Sequence, residues 1–388
     1  MDYFLLGYKI RGEENFFLML IWLNLLIPVI AIIILMVFFE KKIAWWEYLL
    51  VFGVAVLAIF ICKYTSTVLQ TNTKEWWNSY ATQAQYYEPW DEWIVQTCYR
   101  TVSCGKNCTT MVPYDCSHRE YHPAEWILVD NLGKDYSISQ DFYQFLLKTW
   151  GNQKFTDLHR SFYTINGNEY STNYDNDFDH LAPVCTQHTY TNKVRSSRSI
   201  FNFQAVKKDE IDQYGLFSYP HCDMFHYNPI LGWNNSQNSD MLQKWNGLLG
   251  VRKRVHMLIL VFQNQPREAG LMQEAYWKGG NKNEFILCIG VNRTNHITWT
   301  KVISWTDVQV LKTSLARKIK EMDTLVMSAV IDTMAKNVDA KFVKKDFRDF
   351  DYISVEPSNK AILITAIITF IIVLGLSLFS ILNEYDEN

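Results

Sequence analysis

The hydrophobic and polar positions divide the chain into three apolar runs and one long mixed segment. Phe16 to Phe39 carries no charge. Glu40, Lys41 and Lys42 interrupt it, and a second run, Ile43 to Cys62, is broken only by Glu47. A third covers Ala361 to Leu382. A bilayer core about 30 Å thick needs roughly 20 residues of apolar helix, so each run is long enough to cross. The link at 40–42 leaves room only for a tight turn. The first two runs therefore predict a transmembrane hairpin (16–39, 43–62), and residues 63–360 emerge on the side of the N-terminus. The first run reads as a retained span, because no small-x-small cleavage pattern follows it.

Between the spans the periodicity changes several times. Trp76, Tyr80, Ala84 and Tyr87 recur at three- and four-residue spacing, which predicts an amphipathic helix that continues the second span and stops before Pro89. Tyr99–Val102 and Thr109–Val112 read as short β segments between cysteines. Residues 136–150 predict a helix with Phe142, Phe145, Leu146 and Trp150 on one face and Ser139 or Asp141 as N-cap. Residues 164–180 read as a polar surface loop, and 218–250, with Pro220, Pro229 and Gly232, as a junction between two lobes. From 254 onward come a buried strand (VHMLILVF), a helix over 266–278, a second buried strand (EFILCIGV) and a hairpin turn at 293–295. A strand to Trp305 and one or two amphipathic helices follow, with Leu311, Leu315, Ile319 and Met334 inward. The fold class is thus an α+β membrane protein. Residues 1–64 hold the hairpin, 65–250 an aromatic- and cysteine-rich lobe, 251–358 a small α/β sandwich, and 361–382 the last span.

Composition refines this. With 14 Trp, 22 Tyr and 23 Phe, the large segment is aromatic enough to fold, and Trp45 and Trp46 sit where an interfacial belt belongs. A net charge of −3 gives no reason to expect a nucleic-acid partner. Four of the eight cysteines, Cys98, Cys104, Cys108 and Cys116, are crowded together. With Cys185 and Cys222 they are the candidate disulfide residues, while Cys288, inside an apolar run, is expected to be a buried free thiol. The alternative is a zinc site drawn from Cys116, His118, His122, Cys185, His188, His221, Cys222 and His226, since thiolate and imidazole are zinc ligands. The Cys-x2-Cys pairs typical of zinc knuckles are absent from this stretch, and no cofactor is expected beyond that zinc alternative. Asp175, Asp177 and Asp179 alternate as in a calcium loop. His180 and Thr186 stand where an EF-hand needs Gly and Glu, so the pattern fails. Positive charges flank the spans on both sides. The crowded cysteines favour an oxidising compartment, hence an extracytoplasmic large domain and a short acidic cytoplasmic tail.

The pieces VHMLILVF, YWKGGNKNEFILCIGV and HITWTKVISW, with the helices to Asn337 and a following span, resemble the TPM-domain family over roughly residues 255–353. Lys282-Asn283-Glu284 stands where that family has Asp-Asn-Gly, and Ser304-Trp305-Thr306 where it has Gly-x-Gly. The resemblance implies an extracytoplasmic α/β lobe and, for some members, metal-dependent phosphatase activity. The chain carries no Walker loop, Gly-x-Ser-x-Gly, His-Glu-x-x-His or Gly-x-Gly-x-x-Gly pattern. The reading is a non-enzymatic membrane-anchored protein whose disulfide-bonded domain meets another membrane or extracytoplasmic protein, or a second copy of itself. A membrane-tethered metal-dependent hydrolase is the alternative. Asn24, Pro28, Gly53 and Gly375 are expected to serve helix packing within the bilayer.

Overall fold

The computed structural model describes residues 21–39, 43–105, 108–158, 163–165, 167–196, 203, 205–225, 227–355 and 357–382. Three helices are long and apolar enough to cross a membrane: α1 (Ile21–Phe39), α2 (Trp45–Thr71) and a C-terminal one, Asn359–Leu382. Residues 16–20 of the first apolar run lie outside the described residues. The helices pack as a bundle in which Val51 and Ala55 meet Val373, flanked by Ile27 and Ala31. The C-terminal helix turns Thr365, Thr369, Ser377 and Ser380 inward, small side chains that allow close approach of helices. Asn24 and Pro28 are buried as expected. Gly53 and Gly375 are not at helix contacts, since an added Cβ would meet nothing within 4 Å.

The largest correction follows directly after α2. The helix expected to run to residue 88 ends at Thr71, and Asn72–Tyr87 is β1. Positions four apart share a face in a strand as well as in a helix, so the Trp76, Tyr80, Ala84 spacing fits both periods. The dense aromatics then favour the strand. Downstream lie β2 (Trp90–Ile94), β3 (Thr97–Gly105), β4 (Cys108–Asp115), β5 (His118–His122), β6 (Glu125–Asp130) and β7 (Asp135–Ser137). Helix α3 (Gln140–Trp150) begins on the expected Ser139 cap, whose Oγ accepts from Phe142 N at 3.2 Å. It starts four residues later than expected because Asp135–Ser137 pairs with β6. Next come β8 (Lys154–Thr156), β9 (Tyr163–Ile165), β10 (Glu169–Asn173) and β11 (Pro183–Thr191), so the expected loop at 164–180 contains a strand.

Strand β1 organises the first lobe. Its first half pairs antiparallel with β11, from Asn72 opposite Thr191 to Tyr80 opposite Pro183. After a register shift at Ala81/Gln83 its second half lies between β6 and β10. Tyr143, Leu146 and Trp150 of α3 cover Ala81, Ala84 and Leu128 of this sheet.

Two short helices, α4 (Lys193–Ser196) and α5 (Lys208–Tyr214), lead to β12 (Ile230–Leu231) and α6 (Ser236–Lys253). Then follow β13 (His256–Gln263), α7 (Glu268–Tyr276), β14 (Glu284–Val291), β15 (Ile297–Ile303), α8 (Gln309–Lys320), α9 (Met327–Lys341) and the C-terminal helix α10 (Asn359–Leu382). The order expected after residue 254 is present. The sheet runs β12-β13-β14-β15, with only the last pair antiparallel. Leu242 and Leu249 of α6, Leu311 and Leu315 of α8 and Val330 and Met334 of α9 cover one face. Ala269 of α7, Trp277 and Trp299 cover the other. This lobe starts at β12, ahead of residue 251, and the expected junction at 218–250 holds α6. An added Cβ on Gly250 would lie 2.4 Å from the Asn78 carbonyl oxygen, and one on Gly247 3.0 Å from that of Ser79. Helix α6 therefore rests directly on β1, and both lobes share that contact.

Candidate functional site

Strands β3 and β4 form a two-stranded ribbon in which every residue from Tyr99 to Gly105 and from Thr109 to Asp115 is exposed. An isolated two-stranded hairpin is marginal in water. Here a disulfide joins Cys98 to Cys116 with a Cα separation of 5.7 Å, and Cys104 is disulfide-bonded as well. Cys108 opens β4, and its side chain lies outside the described residues. Cross-strand pairing puts Tyr99, Pro113 and Met111 on one face and Val112, Tyr114 and Val102 on the other. Arg100 lies over the Tyr114 ring at 5.8 Å. The ribbon thus offers apolar and aromatic side chains on both faces, with no core of its own to bury them.

The other cysteines sit elsewhere. Cys62 is in α2, and Cys288 is the buried free thiol the sequence suggested. Cys185 of β11 and Cys222 are both buried free thiols, hydrogen-bonded to each other, and burial pushes the Cys185 thiol well up. They share a small cluster with Trp76 and Tyr227. Their backbones are tied on both sides, Cys185 N donating to Met224 O at 2.9 Å and Cys222 bridging Tyr227.

The candidate zinc ligands are dispersed. Cys116 is consumed by its disulfide. His122 stacks on Trp90 at 3.9 Å and approaches Glu92 at 3.2 Å. His188 stacks on Trp77 at 3.9 Å. His118 is exposed on β5, with Nδ1 near the Cys116 carbonyl, and His221 is exposed too. His226 lies outside the described residues. Among the described residues no three His, Cys, Asp or Glu side chains gather to hold a metal.

The densest buried chemistry is a polar seam between the lobes. Asn78 Nδ2 lies 2.9 Å from His256 Nδ1, Tyr227 donates to Asn78 Oδ1 at 3.3 Å, and Asn246 brackets Met257 through both its amide atoms. Burial holds His256 down to about 3, so the imidazole is neutral. Nearby, Glu75 is 1% exposed. Its Oε1 accepts from Trp77 Nε1 at 2.7 Å and faces Lys282 and Lys344, each at 3.5 Å. Glu284, fully buried at the start of β14, accepts from Asn281 N at 2.7 Å, from Asn281 Nδ2 at 2.8 Å and from the Tyr219 hydroxyl. Those donors favour the carboxylate, but desolvation outweighs them and lifts the group to about 8. Tyr219 and Asn281 also line a cavity of about 550 Å³. None of these seam residues belongs to a recognisable motif. Their one signal is a polar residue, His256 or Glu284, opening an otherwise apolar strand.

No protein family, curated protein or solved structure matches this chain.

Proposed function

We propose that the chain is a membrane-anchored, non-enzymatic assembly protein that engages a protein partner on the extracytoplasmic side through the β3–β4 ribbon. The observation that carries this reading is a covalently stapled ribbon with apolar side chains exposed on both faces. Stapling such an element adds nothing to either core, which is expected of a surface kept for recognition. Exposed aromatic and Met side chains of this kind form interface anchors. The TPM resemblance adds a fold expectation for the second lobe. The metal-dependent hydrolysis it implies does not fit the residues present, because Glu284 is one carboxyl surrounded by an amide and a phenol that donate to it. A divalent cation needs several oxygen ligands.

The test is a photo-crosslinking amino acid placed at Met111 in intact membranes, with the exposed Val343 as control position. A discrete adduct from 111 and none from 343 is expected, and its mass separates a second copy of this chain from a different protein. Equal labelling from both positions, or none from 111, overturns the reading.

A further inference from the structure

The cavity that touches Glu284's partners opens at the membrane end of the large domain. Its walls include Asn72 and Lys74 of β1, Arg195 of α4, Tyr219, Trp277 and Asn281. Asn72 follows α2 without a break, and Ser196 of α4 donates to the Gln70 carbonyl of the same helix. An α-helix rises 1.5 Å per residue, so a 30 Å hydrocarbon core entered near Trp45 ends about 20 residues on, near Tyr64. Asn72 then stands on the order of 10 Å above that boundary, within reach of lipid headgroups.

Both charged side chains in that lining, Lys74 and Arg195, are cationic. Among the described residues neither Lys74 nor Arg195 makes an ion pair, and Lys278 donates to the Arg195 carbonyl at 3.4 Å, which adds a further cation beside the guanidinium. Glu284 is near enough to feel Arg195, but its oxygens are taken by Asn281 and Tyr219, and the carboxylate of Glu75 is committed to Lys282 and Lys344. An anion in the cavity would balance the two lining cations. Arg195 offers the planar fork suited to phosphate oxygens, and Lys74 a mobile point charge. Trp277 and Tyr219 supply an aromatic wall, and the exposed Asn72 side chain can hydrogen-bond hydroxyls.

We propose that this juxtamembrane cavity is a phosphate-binding site that takes the headgroup of an anionic phospholipid or a phosphate group free in solution, held by Arg195 and Lys74. The test uses the purified full chain in a neutral detergent. Thermal unfolding is followed while dioctanoyl phosphatidic acid, dioctanoyl phosphatidylcholine or inorganic phosphate is titrated in separate series. The expected result is a saturable rise in Tm with phosphatidic acid and little with phosphatidylcholine. Lys74→Gln with Arg195→Gln weakens it by about tenfold or more, the scale of a lost charge-assisted contact. Both side chains are exposed, so the double variant is expected to keep the unliganded Tm. An equal response to inorganic phosphate assigns the site to a soluble phosphate and keeps the proposal. No saturable response to either phosphate, or a response the double variant leaves unchanged, overturns it.

Discussion

Two fully buried titratable side chains set opposite slopes on stability. Glu284 is raised from 4.5 to about 8, so between those values the folded chain holds a proton that the unfolded chain has released. Its contribution is complete below pH 4.5 and is lost as pH rises to 8. His256 is lowered from 6.5 to about 3. There the unfolded chain holds the extra proton, and stability is lost as pH falls below 6.5. Each slope is about 1.4 kcal/mol per pH unit. Stability should therefore be level from pH 4.5 to 6.5 and fall on either side. Denaturant titrations from pH 4 to 8 check this, and Glu284→Gln should remove the decline above 6.5 while leaving the acid limb. Glu75→Ala leaves Lys282 and Lys344 without their carboxylate, and should lower stability by about 3 kcal/mol, as when one partner of a buried pair is removed. Cys185 and Cys222 are placed for a further disulfide. In exchange with an incoming disulfide, that disulfide's S–S bond breaks as the Sγ–Sγ bond forms, and it leaves as two thiols carrying the two electrons and two protons of Cys185 and Cys222. Mass analysis of non-reduced peptides should show residues 185 and 222 linked when the chain is made in an oxidising compartment, and unlinked when it is not.

At the scale of elements, what was legible in the sequence depended on whether a pattern had one physical meaning. The strands at 256–263 and 284–291 are apolar on both faces, bounded by turns and too short for buried helices, so they were readable. The Ser139 cap and the paired helices after residue 308 were readable for the same reason. β1 was not, because four-residue spacing serves both periods, and only its pairing with β11, β6 and β10 decides between them. Helix α6 is not legible as an amphipathic pattern because its buried residues mix Leu242 and Leu249 with Asn246, Gly247 and Gly250 instead of forming a continuous apolar stripe. Gly250→Ala tests that reading. The added methyl would press on the Asn78 carbonyl at 2.4 Å and should cost about 1–3 kcal/mol, the range for an overpacked core, measured as a drop in Tm. Of the candidate site, the crowded cysteines flagged the stapled ribbon. The seam of Asn78, His256, Glu75 and Glu284 was invisible, since its members lie far apart in sequence and meet only when the lobes close.

For the whole molecule, the span-length helix α2 and β1 form one continuous path into the centre of the first sheet, and α6 joins that sheet to the second lobe. The ribbon, the seam and the juxtamembrane cavity are thus carried on a single frame anchored by three span-length helices. We propose that this frame stands in an oxidising compartment, where the Cys98–Cys116 staple of its ribbon persists. Maleimide labelling of intact cells, with and without a membrane-impermeant reductant, tests it most directly. Cys98, Cys104 and Cys116 are expected to react from outside only after reduction. Labelling that requires permeabilisation and no reductant would place the domain in the cytoplasm with open thiols, and would contradict both the orientation and the stapled ribbon.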